Sequence, residues 1–319
     1  MRRYILARRK HIIKIVVLGY HNIGCRCLEY LIGKKENVVA VFTHENNSDE
    51  NLFFDSMAEV AGSGGILCYT PENINRPEWV SLIKKIDPDI IFSFYYRNMI
   101  SGEILSIPRL GAINLHGSLL PKYRGRCPIN WALVNGEKET GVTLHYMIDK
   151  PDAGDIIARG EIPILFTDTA YTLHKKMEKE AVLVLDRVWE LIKEGRNERI
   201  PQDLSVGSYY GGRRPDDGKI NWKRGNLEIY NLVRAVTHPW PGAFCNFRKQ
   251  KMFIWECEPV PMKINSKPGK LVSFNQQGIV VAAGDGALLL KRCQIMENEE
   301  LDGYKFATRY SLHNREIFT

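Results

Sequence analysis

Asn114 and His116 stand two residues apart in the stretch Asn114-Leu115-His116-Gly117-Ser118-Leu119-Leu120-Pro121. On an extended strand such a pair projects to one side. A side-chain amide and an imidazole placed this way converge on one reacting atom, the first as a hydrogen-bond donor and the second as a proton carrier. A later segment, Asp149-Lys150-Pro151-Asp152-Ala153-Gly154-Asp155, offers carboxylates. One of them, brought to the imidazole, would orient it or hold it charged. Taken singly, each residue has a plainer reading: a histidine satisfied inside the fold, an aspartate shaping a turn. The chemistry depends on the three being brought together.

Two other candidate sites are weaker. Gly19-Tyr20-His21-Asn22-Ile23-Gly24 follows an apolar run, but lacks both GxGxxG spacing and the Gly-Lys-Ser/Thr ending of a phosphate loop. It reads as a structural strand-to-helix turn. The seven cysteines are scattered, with no CxxC pair, which gives a structural zinc site no support and suits reduced thiols.

The elements that must position the trio alternate. Ile12–Leu18, Val38–Thr43, Ile66–Tyr69, Asp89–Phe94 and Ala112–Leu115 read as short apolar strands. Ile23–Ile32, Leu52–Ala61 and Pro77–Lys85 read as the helices between them. This order predicts a Rossmann-like, mostly parallel sheet with helices on both faces, whose ligands bind at the carboxyl ends of the strands. The segments after Phe94 and Leu115 are therefore the places to look. A strand pattern at Ile156–Ile164 precedes a long helix whose stripe is Leu173, Met177, Ala181, Val184, Val188 and Leu191.

Residues 195–218 are rich in Gly and Pro and read as a linker. Beyond them a helix at Leu227–Thr237 leads to short strands near Ala243–Phe247, Lys251–Trp255, Lys270–Phe274, Ile279–Ala282 and Ala287–Lys291. These suggest a small OB-like β-barrel. The expected organisation is a basic extension at 1–11, a catalytic domain at 12–194, the linker, and a C-terminal domain at 219–319.

Of the formal net charge of +7, five units come from Arg2, Arg3, Arg8, Arg9 and Lys10, so the remainder is only mildly basic. The start lacks the apolar core of a signal peptide, and no apolar run approaches the ~20 residues of a membrane span. A cytoplasmic location is expected.

Longer stretches carry a family resemblance. NLHGSLLPKYRGRCPINWALVNGEKETGVTLHYM followed by DAGDI resembles the 10-formyltetrahydrofolate-dependent formyltransferase family, which includes methionyl-tRNA formyltransferase. FTHENN, PDIIFSFYYRNMI, GRRPDDGKINW, NLVRAVTHPWPGAF and AAGDGAL are similar to the sugar branch, closest to the formyltransferase half of the bifunctional enzyme acting on UDP-4-amino-4-deoxy-L-arabinose. The resemblance spans roughly residues 13–290.

It implies Asn114, His116 and Asp152 as the catalytic trio, and 10-formyltetrahydrofolate as the formyl donor, with no metal. It implies folate contacts from Asn98, Met99, Ile100 and Arg126, and from the loop Ile148, Asp149, Lys150, Pro151 and Asp152. Asp149, Lys150 and Pro151 depart from the pattern of the nearest relatives, which leaves their individual side-chain roles open, while the loop can still contact folate through its backbone. The acceptor implied is a nucleotide-linked amino sugar, in the setting of lipid A modification and lipopolysaccharide biosynthesis. The dehydrogenase-decarboxylase activity of the bifunctional relative would then come from another protein, or the pathway differs.

Arg213 and Arg214 suit a diphosphate, or else brace the linker through Asp216 and Asp217; Tyr123 is a candidate for the sugar or base. Two other readings compete. A tRNA formyltransferase would carry a basic insertion after the second strand, where this sequence has the acidic run Glu45-Asn46-Asn47-Ser48-Asp49-Glu50-Asn51. A non-catalytic folate- or nucleotide-binding relative would show a broken trio. The expected partners are the two small molecules, with neither nucleic acid nor membrane, and a homodimer as an assembly option.

Overall fold

The structure, a computed structural model, describes residues 12–45, 53–260 and 264–319. The basic extension and the acidic run beyond Glu45 lie outside the described residues.

The chain runs β1 (Ile15–Gly19), α1 (His21–Gly33), β2 (Val38–Phe42), α2 (Met57–Ser63), β3 (Cys68–Tyr69), α3 (Pro77–Ile86), β4 (Ile90–Phe94), α4 (Gly102–Leu105) and β5 (Ala112–His116). It continues with β6 (Arg124–Gly125), α5 (Pro128–Val134), β7 (Glu139–Tyr146), β8 (Ile156–Pro163), α6 (Ala170–Lys193), β9 (Tyr209–Tyr210) and α7 (Asn226–Val236). The last elements are β10 (Ala243–Phe247), β11 (Gln250–Val260), β12 (Leu271–Asn275), β13 (Gly278–Ala282), β14 (Ala287–Ile295), β15 (Leu301–Asp302) and α8 (Gly303–Arg309).

Contacts divide the described residues into two units. The first holds the chain up to His116, with Val142–Gly160 and Glu178–Ser205; the second holds Gly117–Gly141, Glu161–Met177 and everything from Val206.

The first unit is built on the sheet β3-β2-β1-β4-β5-β7-β8. Its β2–β3, β1–β2, β1–β4 and β4–β5 pairs are parallel, and β7 runs antiparallel to β5. β1 and β4 are buried along their whole length, as expected of strands covered on both faces. Val16, Leu18, Phe42, Ile83, Ile91 and Ile104 join one core. The expected mostly parallel sheet is present.

Leu52, the expected start of the second helix, lies outside the described residues; residues 53–56 are not helical, and the helix begins at Met57, because Ser56 is its N-cap and accepts from the Glu59 amide. In α6, Leu173, Met177, Ala181, Val184 and Val188 are buried, but Leu191 is 40% exposed. The buried face continues instead through Trp189 and Ile192, since a helical period of 3.6 carries the stripe on to 192.

The second unit contains the antiparallel sheet β10-β11-β14-β13-β12, with β15 on β14. Its edge strands are connected through the last residues of the chain. Thr319 and Asn246 of β10 exchange both backbone hydrogen bonds, while Leu271 at the start of β12 donates to the Glu316 carbonyl. No helix among the described residues is long and apolar enough to cross a membrane.

Candidate active site

Parallel pairing with β4 and antiparallel pairing with β7 hold β5 from both sides, and the β7 register sets Asn114 opposite His145 and His116 opposite Thr143. Asn114 and His116 therefore share a face, as their spacing requires. The loop after β7 returns Asp152 to this face. Its Oδ1 lies 3.4 Å from Asn114 Nδ2, 3.5 Å from His116 Nδ1 and 3.6 Å from His145 Nε2. His116 is 6% exposed and the Asp152 side chain 14%, so one carboxylate oxygen meets three nitrogen groups largely away from water. Charge interactions act more strongly in such surroundings than in solvent.

His145 is the member of the cluster that residue spacing did not reveal. Its Nδ1 is 2.9 Å from the Tyr146 carbonyl oxygen, which can only accept, so Nδ1 carries the proton. In the neutral ring Nε2 is then an acceptor, and it receives Asn114 Nδ2 at 3.1 Å. This fixes the rotation of the Asn114 amide and directs its NH2 group toward Asp152. The signal lay in the quoted stretch GVTLHYM, but only strand pairing places position 145 against 114.

The Asp152 loop is tightly made. Tyr146 donates to the Asp155 carbonyl, and Met147 to the Ala112 carbonyl. A Cβ on Gly154 would come within 2.0 Å of the Tyr146 carbonyl oxygen, so only glycine permits this close return. Asp152 itself has φ +50°, a left-handed conformation that aspartate tolerates better than most residues.

The loop after β4 lies in the same unit. Asn98 Nδ2 donates to the Glu72 carbonyl and Asn75 Nδ2 to the Met99 carbonyl. Met99 and Ile148 are 56% and 49% exposed, large apolar side chains left open on the two loops expected to contact folate. The Asp149 carboxylate lies against Gly102, just past the 98–100 segment. Lys150 is exposed and Pro151 half-buried. Ile100 is 5% exposed within the core, so only its backbone is free to meet a ligand.

The turn at Gly19–Gly24 packs closely against protein. A Cβ on Gly19 would approach Met57 Cε at 2.5 Å, and one on Gly24 the Phe94 carbonyl oxygen at 3.0 Å. Both glycines serve the junction of β1, α1 and β4.

The formyl transferase family model matches residues 13–188, and the model of the formyl transferase C-terminal domain matches residues 213–311. This chain belongs to the formyl transferase family. Solved formyltransferases share its fold. The N-formyltransferase from Helicobacter canadensis, in complex with folinic acid and dTDP-3-aminofucose, is 23% identical, with a TM-score of 0.70 over 87% of this chain and 98% of that one. WlaRD, a sugar 3N-formyl transferase solved in the presence of dTDP and 5-N-formyl-THF, is 23% identical, with a TM-score of 0.68 over 91% and 100%. A 4-N formyltransferase from Francisella tularensis is 24% identical, with a TM-score of 0.60 over 72% and 90%.

The remaining expected site residues of this formyltransferase lie in the second unit. Tyr123 is buried, stacks on Tyr210 at 5.1 Å, and donates to Glu137 at 2.7 Å. Burial, foremost, and Glu137 push its phenol well above the ordinary tyrosine range. Arg213 lies 4.5 Å over the Trp131 ring and donates to the Asp217 carbonyl. Burial lowers its pKa from the ordinary arginine value. The Arg214 amide donates to the Asp217 carboxylate while its side chain is exposed, so Asp217 ties both arginines to the segment that carries them. Arg126 is exposed, and its amide donates to the Tyr210 carbonyl.

Proposed function

We propose that this formyltransferase moves a formyl group from 10-formyltetrahydrofolate to the amino group of a nucleotide-linked 4-amino sugar, with UDP-4-amino-4-deoxy-L-arabinose as the foremost acceptor. The observation that carries the reaction type is the convergence of Asn114 and His116 on the Asp152 carboxylate.

The reaction makes one C–N bond and breaks another. The neutral sugar amine attacks the formyl carbon, and negative charge gathers on the formyl oxygen. Asn114 holds one amide hydrogen on His145; its second makes a long hydrogen bond of 3.4 Å to Asp152 Oδ1, which it exchanges for that oxygen as the charge develops. His116 takes the proton lost by the attacking nitrogen and returns it to the departing N10. Asp152, beside Nδ1, stabilises the imidazolium between these steps. The balance needs neither a metal nor a protein nucleophile.

The exposed Met99 and Ile148 side chains suit the flat faces of the folate ring, and backbone groups of 98–100 and 148–152 its polar edge. Arg126, Arg213 and Arg214 are the proposed donors to carboxylate and diphosphate groups, and Tyr123 a proposed neighbour of the sugar or base. The choice of a nucleotide sugar rests on the residue stretches similar to the sugar branch and on the nucleotide sugars and nucleotides bound to solved proteins of this fold.

The test is incubation with 10-formyltetrahydrofolate and a panel of UDP-, dTDP- and GDP-linked amino sugars, with charged initiator tRNA alongside. Formylation of a 4-amino UDP-sugar is expected. Turnover of the tRNA with none of any sugar would replace this reading.

A further inference from the structure

We propose that Gln202 is a positioning residue for the reaction: it clamps the backbone of the Asp152 loop and so sets the carboxylate against His116 and Asn114. The inference rests on the reading of Asp152 as the carboxylate that serves His116.

The geometry begins with an isolated antiparallel bridge. Ile156 and Ile200 exchange both backbone hydrogen bonds, at 2.8 and 2.9 Å. Antiparallel pairing that continues by two residues sets 202 opposite 154. There the backbone ladder gives way to a side chain. Gln202 Nε2 donates to the Gly154 carbonyl at 2.7 Å and to the Asp152 carbonyl at 3.1 Å. Both acceptors are carbonyl oxygens, so the amide has only one workable rotation, with its nitrogen facing the loop.

The loop needs this restraint. Asp152 holds a left-handed φ of +50°, which costs a non-glycine residue free energy and persists only where neighbours enforce it. Its Oδ1 is 3.4 to 3.6 Å from three nitrogen groups, so a small rotation of the loop would separate it from them. Gln202 Oε1 is buried with no hydrogen-bond partner among the described residues.

The experiment is a double-mutant cycle on the whole protein, with kcat and KM measured for donor and acceptor. Gln202→Ala is expected to lower kcat by about 10- to 100-fold, the scale of a roughly 1 Å misplacement of a catalytic group. Gln202→Glu, equal in size but presenting an acceptor to two carbonyls, is expected to be worse than Gln202→Ala; a space-filling role predicts the reverse order. In an Asp152→Asn background, Gln202→Ala is expected to cost little more, because the group it positions is already gone. Thermal unfolding and circular dichroism identify any variant that fails to fold, and Gln202→Glu then carries the test with Asp152→Asn. Multiplicative losses from Gln202 and Asp152 would overturn the inference while leaving the Asp152 reading in place. Full activity in Asp152→Asn would overturn both.

Discussion

At the residue scale, the candidate site works through fixed hydrogens. Asn114→Ala removes the oxyanion donor, and kcat is expected to fall by about 10² to 10³, measured by single-turnover formyl transfer with circular dichroism to confirm folding. Near-normal turnover would take Asn114 out of that role. His145→Ala acts one step back, since it only releases the Asn114 amide to rotate. Its loss should be smaller than that of Asn114→Ala, and the double variant should be no slower than Asn114→Ala alone. A double variant slowed by the product of the two effects would mean that His145 acts independently. Asn114 and His116 were legible because a two-residue spacing survives in the linear sequence. His145 and Gln202 were not, because strand pairing and an isolated bridge bring them to the site across 31 and 50 residues.

At the element scale, most buried strands and helices declared themselves by period, but β7, buried from Thr140 to Tyr146, did not, because a strand covered on both faces has no alternation, and two-residue elements have no period at all. The pair β6–β9 and the Ile156–Ile200 bridge, two residues before Gln202, are that short. The segment before α6 shows how a polar residue in such a stretch fixes an element. Asp168 is 4% exposed and receives the Leu165 amide, the Thr172 hydroxyl and the Lys176 ammonium. Burial alone would raise its pKa, but these three donors together outweigh burial and hold the carboxyl below its ordinary value. A folded-state pKa lowered in this way adds stability above the unfolded pKa of about 3.9, and the stability is lost as pH falls through the folded value. Asp168→Asn should therefore cost about 1.5–3 kcal/mol at pH 7, the range for hydrogen bonds to a charged group. The gap from wild type should narrow below about pH 4. Urea unfolding at pH 7 and pH 3 checks this; an equal gap at both would mean that the carboxylate charge is not what holds α6.

At the scale of the whole molecule, charge distribution bears on the acceptor. Five of the seven excess positive charges fall in residues 1–11, and the run after β2 is acidic. A tRNA held through several phosphates would release counterions on binding, and contact with 6–10 of them would weaken binding by about 10³–10⁵ between 50 and 200 mM salt. A UDP-sugar has only two phosphates to offer. Its kcat/KM is expected to fall by no more than about tenfold over the same range. The measurement is formyl transfer to UDP-4-amino-4-deoxy-L-arabinose and to charged initiator tRNA in one buffer, repeated at the two salt concentrations. A shallow salt dependence with the sugar and negligible turnover of the tRNA is the expected result. Rapid tRNA formylation that collapses with salt would instead move the acceptor to RNA, and would make the basic segment 1–11 the first place to seek its phosphate contacts.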